Sequence, residues 1–464
     1  MHPNAQFLLA VTSIALLTAP RRWALLLLIV GVCYVPLGQA LELGPFSFSV
    51  WRTLLAVGAI RVLTRSERLA GGLISLDWLV VIWAILFYAT GLAHTDPSVT
   101  LVERLGKAYD ALGAYFLIRV FLRSTDDLLP LFGGTAILLL PLGIEMVAEA
   151  RGTPNLFQAF YGLSGEAIVR NAQIRARGPF AHPILAGTVG AVSLPLMVAL
   201  WQRRHRMVAC SGIVGCALMI VSSRSSGPIL TTIVGLGALC AFPFRANLRP
   251  LRYLAVLTYV ALDLAMQAPA YYLIARFDLT GGSTGWHRAR LIQSSLEHLD
   301  EWWLVGTDIT RHWMPTGVFW NPNHTDITNH YIYMGVVGGL PLMLAFIWIL
   351  SRSFSLVGDC VQSRYEGAVD RQFLLWALGS ALFAHALTCI SVSYFDQSVF
   401  FFHLSIASVG SMWATATTRS EARASHRVDK RTRSRFPSPP PAFWMDGKVR
   451  SPQPPTFAHN RPER

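Results

Sequence analysis

Charge is what this sequence has least of. Asp, Glu, Lys and Arg together make up 14% of its 464 residues, where a soluble globular chain carries about a quarter. So sparse a set cannot cover a soluble protein of this length, and 53% of the residues are hydrophobic. Ten-residue segments of alternating polarity are also lacking, which excludes a membrane β-barrel in favour of helices. No Asp-x-Asp and no glycine-rich nucleotide loop occur, so nothing in the sequence marks a nucleotide-sugar site held by a metal. The six cysteines (Cys33, Cys210, Cys216, Cys240, Cys360 and Cys389) have no metal-like or redox spacing. They read as small buried hydrophobes. No basic stretch precedes the apolar run Phe7–Ala19, so no cleavable signal peptide is expected.

What the chain has instead is apolar runs. They cover Phe7–Ala19, Trp23–Gly38, Val50–Leu63, Leu73–Ala93, Leu105–Leu122 and Asp127–Ala148, then Pro183–Trp201, Met207–Val221, Gly227–Phe242 and Leu251–Gln267. Ile327–Leu350, Phe373–Ser391 and Val399–Ala416 complete the series. The spacing predicts an all-α, polytopic membrane bundle of about 12–13 transmembrane helices. Several runs fall short of the roughly 20 residues an upright crossing needs. Basic loops stay cytoplasmic. Arg65 and Arg68, Arg203 to Arg206, Arg245 to Arg252, and Arg352 and Arg364 all fall on one side when the spans are counted, as does the C-terminal tail. The longer loops, Glu149–His182 and Ala268–Asp326, then face outward, with the short turn Ser222–Ser226.

Residues 417–464 hold eleven Lys or Arg against four Asp or Glu, more than half of the net charge of +13. This proline-rich segment is expected to be a disordered cytoplasmic tail lying against anionic headgroups. No folded nucleic-acid reader accompanies it, so membrane lipids and not nucleic acid are the expected partner.

The outer side should be poor in arginine, yet it carries Arg170, Arg175, Arg177, Arg224, Arg276, Arg288 and Arg290. Cations on that side call for a local anionic partner, and the guanidinium fork suits phosphate. Solvated loop charges, or pairs with Glu166, Asp278 and Asp308, are the plainer reading. Three outward motifs stand out. RARGPFAHPILAG, Arg175 to Gly187, turns at Gly178-Pro179 and enters a helix near Pro183, with His182 at its mouth. SSRSSG, Ser222 to Gly227, sets Arg224 among four hydroxyls. GGSTGWHRAR, Gly281 to Arg290, contains His287 and Arg288.

A polar stretch, HTDITNHYIYMGVVGGLP from His324 to Pro341, then feeds into an apolar run. His324, Asp326, Asn329 and His330 thus stand at a membrane surface. A histidine at a helix end is commonly a structural hydrogen-bonder. Near neutral pKa it can also act as a general base. His324, Asp326 and His330 as metal ligands would need His-x-Asp-x-x-x-His, which is not a familiar zinc spacing. Trp286, Trp302, Trp303, Trp313, Phe319 and Trp320 crowd the same loop, as an interfacial belt or as sugar-stacking surfaces.

Together these motifs resemble the O-antigen ligase and O-antigen polymerase family of bacterial envelope glycosyltransferases. There an Arg-containing turn leads into a middle span, a Ser-Arg follows at a later junction, and a late outer loop ends in a His motif ahead of Gly-x-x-G. Arg177-Gly178 (or Arg175 at R-x-x-G spacing), Ser223-Arg224, and His324 ahead of Gly335 and Gly338 match this pattern. The family's His is often followed by Asn. Here Thr325 follows His324, and the Asn-His pair comes at Asn329-His330. Spacing to Gly335 favours His324 over His330.

The resemblance implies metal-independent, inverting transfer of a glycan from an undecaprenyl-pyrophosphate donor to a glycan or lipid acceptor. The site would face the periplasm at the bacterial inner membrane and need no cofactor or metal. It implies His324 (or His330) as base with Asp326 orienting it, and Arg175, Arg177, Arg224, Arg288, His182 and Trp303 binding substrate. Residues 1–150 would be N-terminal membrane helices, and 151–416 a catalytic core that includes the outer loop 268–326. The alternative is a transporter or flippase of a lipid-linked glycan, for which Arg52, Arg61, Asp77, Lys107, Asp110 and Arg119 in or near spans would be the functional charges.

Overall fold

The computed structural model describes residues 1–44, 46–202, 205–276, 285–318, 321–362 and 369–435. Arg203, Arg204, Asp278, residues 281–284, Phe319, Trp320, Arg364 and the prolines from Pro437 onward lie outside the described residues.

Each apolar run is a helix. The first half holds α1 (Pro3–Thr18), α2 (Arg21–Tyr34), α3 (Val50–Thr64), α4 (Ser75–Ala89), α5 (Pro97–Phe121) and α6 (Thr125–Ala150). After the short α7 (Leu156–Phe160) come α8 (Pro183–Gln202), α9 (Arg206–Ser222), α10 (Ser226–Cys240) and α11 (Leu248–Ala265). Three short outer helices, α12 (Leu273–Arg276), α13 (Gly285–Glu297) and α14 (Leu299–Trp302), precede α15 (His330–Gln362), α16 (Val369–Thr388) and α17 (Val399–Arg435). The strands form three small antiparallel hairpins: β1 (Ala40–Leu43) with β2 (Phe46–Ser49), β3 (Val169–Arg170) with β4 (Gln173–Ile174), and β5 (Gly317–Val318) with β6 (Asn321–Thr325). Proline opens α1, α5 and α8, where its missing N–H removes no helical bond.

The distribution of polarity is inside out. Arg61, Asp77 and Arg119 are fully buried, while Ile85, Ile137, Leu344 and Trp348 stand exposed on helix faces. In a chain of this kind apolar faces meet lipid and charges turn inward to find partners. They find them. Arg119 Nε lies 2.9 Å from Asp77 Oδ1, whose carboxylate also accepts from the Tyr115 hydroxyl at 2.6 Å. Arg52 binds both oxygens of Asp110 at 2.7 Å, and Arg61 holds Glu67 at 2.9 Å and the Ala19 carbonyl at 2.9 Å.

Among the described residues, five helical stretches are long and apolar enough to cross a membrane: Ser75–Ala93, Thr125–Ala150, Pro183–Trp201, His330–Gln362 and Val399–Thr418. A sixth arises if Tyr253–Ala265 and Ala270–Arg276, bent by 93°, form one span. α1, α9 and α10 are apolar but shorter. Small residues let helices close on one another. α6 lies along α9, where a Cβ on Gly215 would fall 2.7 Å from the Leu139 backbone. α8 packs on α9, α10 and α16, and α4 packs on α15.

Hydrogen bonds gather the outer segments at one end of the bundle. Ala176 N–H donates to Ser222 O at 3.0 Å, and His330 N–H to Cys389 O at 2.7 Å. Ala181 N–H reaches Asp396 at 2.9 Å. Elsewhere Arg123 donates to the Arg68 carbonyl at 3.0 Å, and Arg352 to Ser75 at 2.9 Å.

Two expectations change. The run Ile327–Leu350 is not one straight span. α15 begins at His330 and is broken at Gly338 (φ −147°) and Gly339 (φ +72°) before continuing to Gln362. Beyond Thr417, where composition predicts disorder, α17 stays helical to Arg435. Arg, a good helix former, recurs there six times, and the first proline comes only at Pro437. Residues Met1–Thr418 form one compact unit. Among the cysteines Cys33, Cys216, Cys360 and Cys389 are buried as expected, whereas Cys210 and Cys240 are exposed on the bundle's flank.

Candidate functional site

The first two arginine motifs touch. Arg175 is buried, its Nε donating to the Ser223 carbonyl at 3.3 Å and its Nη2 to the Ser225 hydroxyl. The turn that carries it is pinned from two sides. Glu149 accepts from the Arg177 and Gly178 amides at 3.1 and 2.9 Å, and Gln397 donates to the Pro179 carbonyl at 3.0 Å. His182 precedes α8, and its Nδ1 accepts from the Ile184 amide at 3.2 Å.

A cationic patch results, with Arg170 at its centre. Arg170 on β3 bears electrostatically on Arg175, His182 and Arg288. Burial first and Arg170 second lower the Arg175 guanidinium to about 10. Burial, then Arg175, Arg177 and Arg170, push the His182 imidazole down to about 4. Arg288 on α13 is buried and its Nε has no hydrogen-bond partner. Burial and Arg170 lower it too, with Asp326 acting the other way. Among the described residues none of Arg170, Arg175, Arg177 or Arg288 is in ion-pair contact with a carboxylate. Guanidinium groups gathered in this way suit an anionic ligand, because the planar fork binds two oxygens at once.

Arg224 stands apart. Its backbone is left-handed, with φ +43°, and its side chain forms no hydrogen bond or ion pair among the described residues. Strain of this kind at a non-glycine residue is about 1–3 kcal/mol and is concentrated at functional turns. The structure gives Arg224 no charge interaction with the patch.

His324 sits on β6, half-buried, with Nδ1 3.2 Å from the Thr310 hydroxyl. Burial lowers its pKa, while Asp308 raises it and His94 lowers it. Asp326 was expected to orient this imidazole. Thr310 does so instead, and Asp308 is the carboxylate whose charge His324 feels. The Asp326 carbonyl instead lies 3.0 Å from His287 Nε2. The reason is position: Asp326 follows the last residue of β6, and its carboxylate feels His287 and Arg288 instead of His324. Asp308 is itself anchored by His94, by the Thr95 amide at 2.6 Å and by the Thr95 hydroxyl at 2.7 Å. Arg104 completes the chain, donating to His94 Nε2 at 2.7 Å and to the Val337 carbonyl at 2.7 Å. Sequence reasoning missed His94, Asp308 and Thr310. Asp308 was weighed only as an arginine's partner.

His330 has a different place. It is buried, stacked on Tyr333 at 5.6 Å and edge-on to Phe346 at 5.2 Å, and its Nδ1 accepts from the Tyr394 amide at 3.3 Å. Asn329 caps α15, accepting from the Tyr331 and Ile332 amides at 2.9 and 3.1 Å. The Asn-His pair therefore starts and packs a helix. The glycines ahead of it answer to the outer loop. A Cβ on Gly335 would lie 2.3 Å from the Trp302 ring, and one on Gly339 2.3 Å from the Leu304 carbonyl. Trp302 is buried and Trp303 half exposed.

Behind the patch lies a cavity of about 330 Å³, lined by apolar and aromatic side chains and by Arg52, Lys107, Asp110, His330, Tyr333 and His403. Phe395, Asp396 and Gln397 belong to its wall. Asp396 and Gln397 hold the arginine turn from behind, and the Phe395 ring meets His182 at 6.4 Å. Of the residues singled out from sequence, Arg175, Arg177, Arg288 and His182 thus come together with Asp326 beside them. His324 lies on β6 and Asp326 just past its end, and His324 shares no direct contact with Arg177 or Arg224. No family model matches the chain, and no curated protein and no solved structure does either.

Proposed function

We propose that the chain is a glycosyltransferase of the bacterial inner membrane that uses a lipid-linked glycan, as an O-antigen or exopolysaccharide polymerase or ligase. In this reading the bundle crosses the membrane twelve or thirteen times and the cationic patch faces the periplasm. The observation that carries it is the seating of Arg175 on Ser223 and Ser225, which joins two distant motifs beside a group of arginines with no ion-pair contact among the described residues, near the His324 strand. An undecaprenyl-pyrophosphate donor leaves its lipid tail in the bilayer and offers a diphosphate at this depth.

The reaction follows from the groups present. In the tautomer where Nδ1–H donates to Thr310, the His324 Nε2 lone pair is free. It takes the proton of the acceptor sugar hydroxyl as that oxygen attacks the anomeric carbon from the face opposite the diphosphate. The new glycosidic bond forms, the carbon–oxygen bond to the diphosphate breaks, and configuration inverts. Undecaprenyl pyrophosphate departs with the bonding electron pair, its growing charge met by Arg170, Arg175, Arg177 and Arg288. No metal is needed at the reacting atoms. Exposed Trp303 and Trp286 offer flat faces for sugar rings.

Transfer from a purified undecaprenyl-pyrophosphate glycan tests this. Wild-type protein is expected to form a longer lipid-linked chain or a glycan on a new acceptor, and His324→Ala to abolish it. Retained turnover in His324→Ala and Arg175→Ala together would overturn the reading. A transporter reading would draw on the internal cavity. Its basic side chains, however, are paired, Arg52 with Asp110 and Lys107 with Glu103 at 2.6 Å.

A further inference from the structure

The outer loop carries a second group of ligand-type side chains that the transfer reaction leaves unused. His298 immediately precedes α14, Glu301 lies on it, and His312 sits in the single helical turn Arg311–Trp313. One nitrogen or carboxylate oxygen from each lies within 4.8 Å of the other two. His312 Nε2 is 2.9 Å from Glu301 Oε1.

The atoms facing away from this point are held as those of metal ligands are held. His298 Nδ1 lies 2.9 Å from the Ser294 carbonyl and donates to it, which leaves Nε2 with its lone pair. The Trp313 ring stacks on this imidazole at 5.7 Å and 23°, setting its plane. The same indole donates its N–H to Glu301 Oε2 at 2.9 Å, turning the other oxygen towards His312. A carbonyl behind one imidazole and an N–H behind the carboxylate are the outer contacts that orient ligands in zinc sites. None of these residues belongs to the cationic patch or to the His324–Thr310–Asp308 group.

We propose that His298, Glu301 and His312 bind one divalent transition-metal ion, zinc being the chemistry that fits, with water in the fourth position. Two imidazoles and one carboxylate suit zinc and disfavour calcium and magnesium, which take oxygen ligands. With metal–ligand distances of about 2.0–2.1 Å, tetrahedral ligand atoms stand roughly 3.3 Å apart. Glu301 and His312 already stand within this distance of one another, and binding draws the His298 nitrogen in from at most 4.8 Å. The ion displaces any proton shared by His312 and Glu301. It ties α14 to the turn that begins one residue after Thr310, and so braces the residue that holds His324. It touches no substrate, and the proposal stands whether or not the chain transfers glycans.

The test is binding, not turnover. Full-length protein purified in detergent is stripped with a chelator, dialysed against micromolar zinc chloride, and its bound zinc measured by elemental analysis. One equivalent is expected, lost in His298→Ala and in His312→Ala and weakened at least tenfold in Glu301→Gln. His324→Ala, in the same loop, should keep it. Gel-filtration profile and metal-free melting temperature check that each variant is folded. X-ray absorption at the zinc edge should show nitrogen and oxygen neighbours including two imidazoles. Absence of bound zinc in the wild type, or full retention in both folded histidine variants, would overturn the proposal.

Discussion

The Thr310 hydroxyl lies 3.2 Å from His324 Nδ1 and accepts the Thr325 amide at 3.1 Å. One threonine thus orients the imidazole and holds the strand that carries it. Thr310→Val keeps the shape and removes the hydrogen bond. We expect kcat to fall about 10-fold with KM little changed, against about 10²–10⁴-fold for His324→Ala, in line with the worth of a positioned general base. Steady-state transfer kinetics separate the two parameters.

Burial holds the His324 pKa below its ordinary value of about 6.5. A base works when unprotonated, so kcat/KM should rise with pH through this lowered pKa and be level at neutral pH. An acid limb centred above pH 7 would contradict the assignment.

His182 reports on stability. Its pKa of about 4 lies below that of the unfolded chain, so the unfolded state binds more protons in between. Stability present above about pH 6.5 should be lost as pH falls towards 4. His182→Asn, which can cap α8 without titrating, should flatten the melting temperature over this window.

Arg288 is buried, and its Nε lacks a partner until an anion arrives. Arg288→Ala should weaken diphosphate binding about 10–100-fold, the worth of one charged hydrogen bond. Competition by a soluble prenyl diphosphate measures this, and Arg288→Lys should recover only part of it.

Two substitutions test the scaffold. Gly339→Ala sets a Cβ 2.3 Å from the Leu304 carbonyl at a φ of +72°. Overpacking and strain together should lower stability by about 2–4 kcal/mol, seen as early melting in detergent. Asp77→Asn leaves the buried Arg119 charge without its counter-ion. A loss of about 3–5 kcal/mol is expected, relieved when Arg119→Met is added.

The helices were legible because an unbroken apolar run states its environment locally. Arg175 and Ser223 were legible as motifs, though not as hydrogen-bonding neighbours. The break in α15 was written in Gly338 and Gly339, but its cause lies in Leu304, more than thirty residues earlier. Asp308 and His94 carried no local signal at all. Each became meaningful only when the fold set it beside residues far away in the chain.

The amino-acid order alone determined the helices, the collection of basic residues at one end of the bundle and the excess of arginine at the other. Each of these follows from transfer free energies of single side chains or short runs. Tertiary structure decided which imidazole is packed into the bundle, which is held half-open by a threonine, and which cations share one surface. Such questions turn on hydrogen bonds a few ångströms long between distant segments, and only the packed chain brings those segments together.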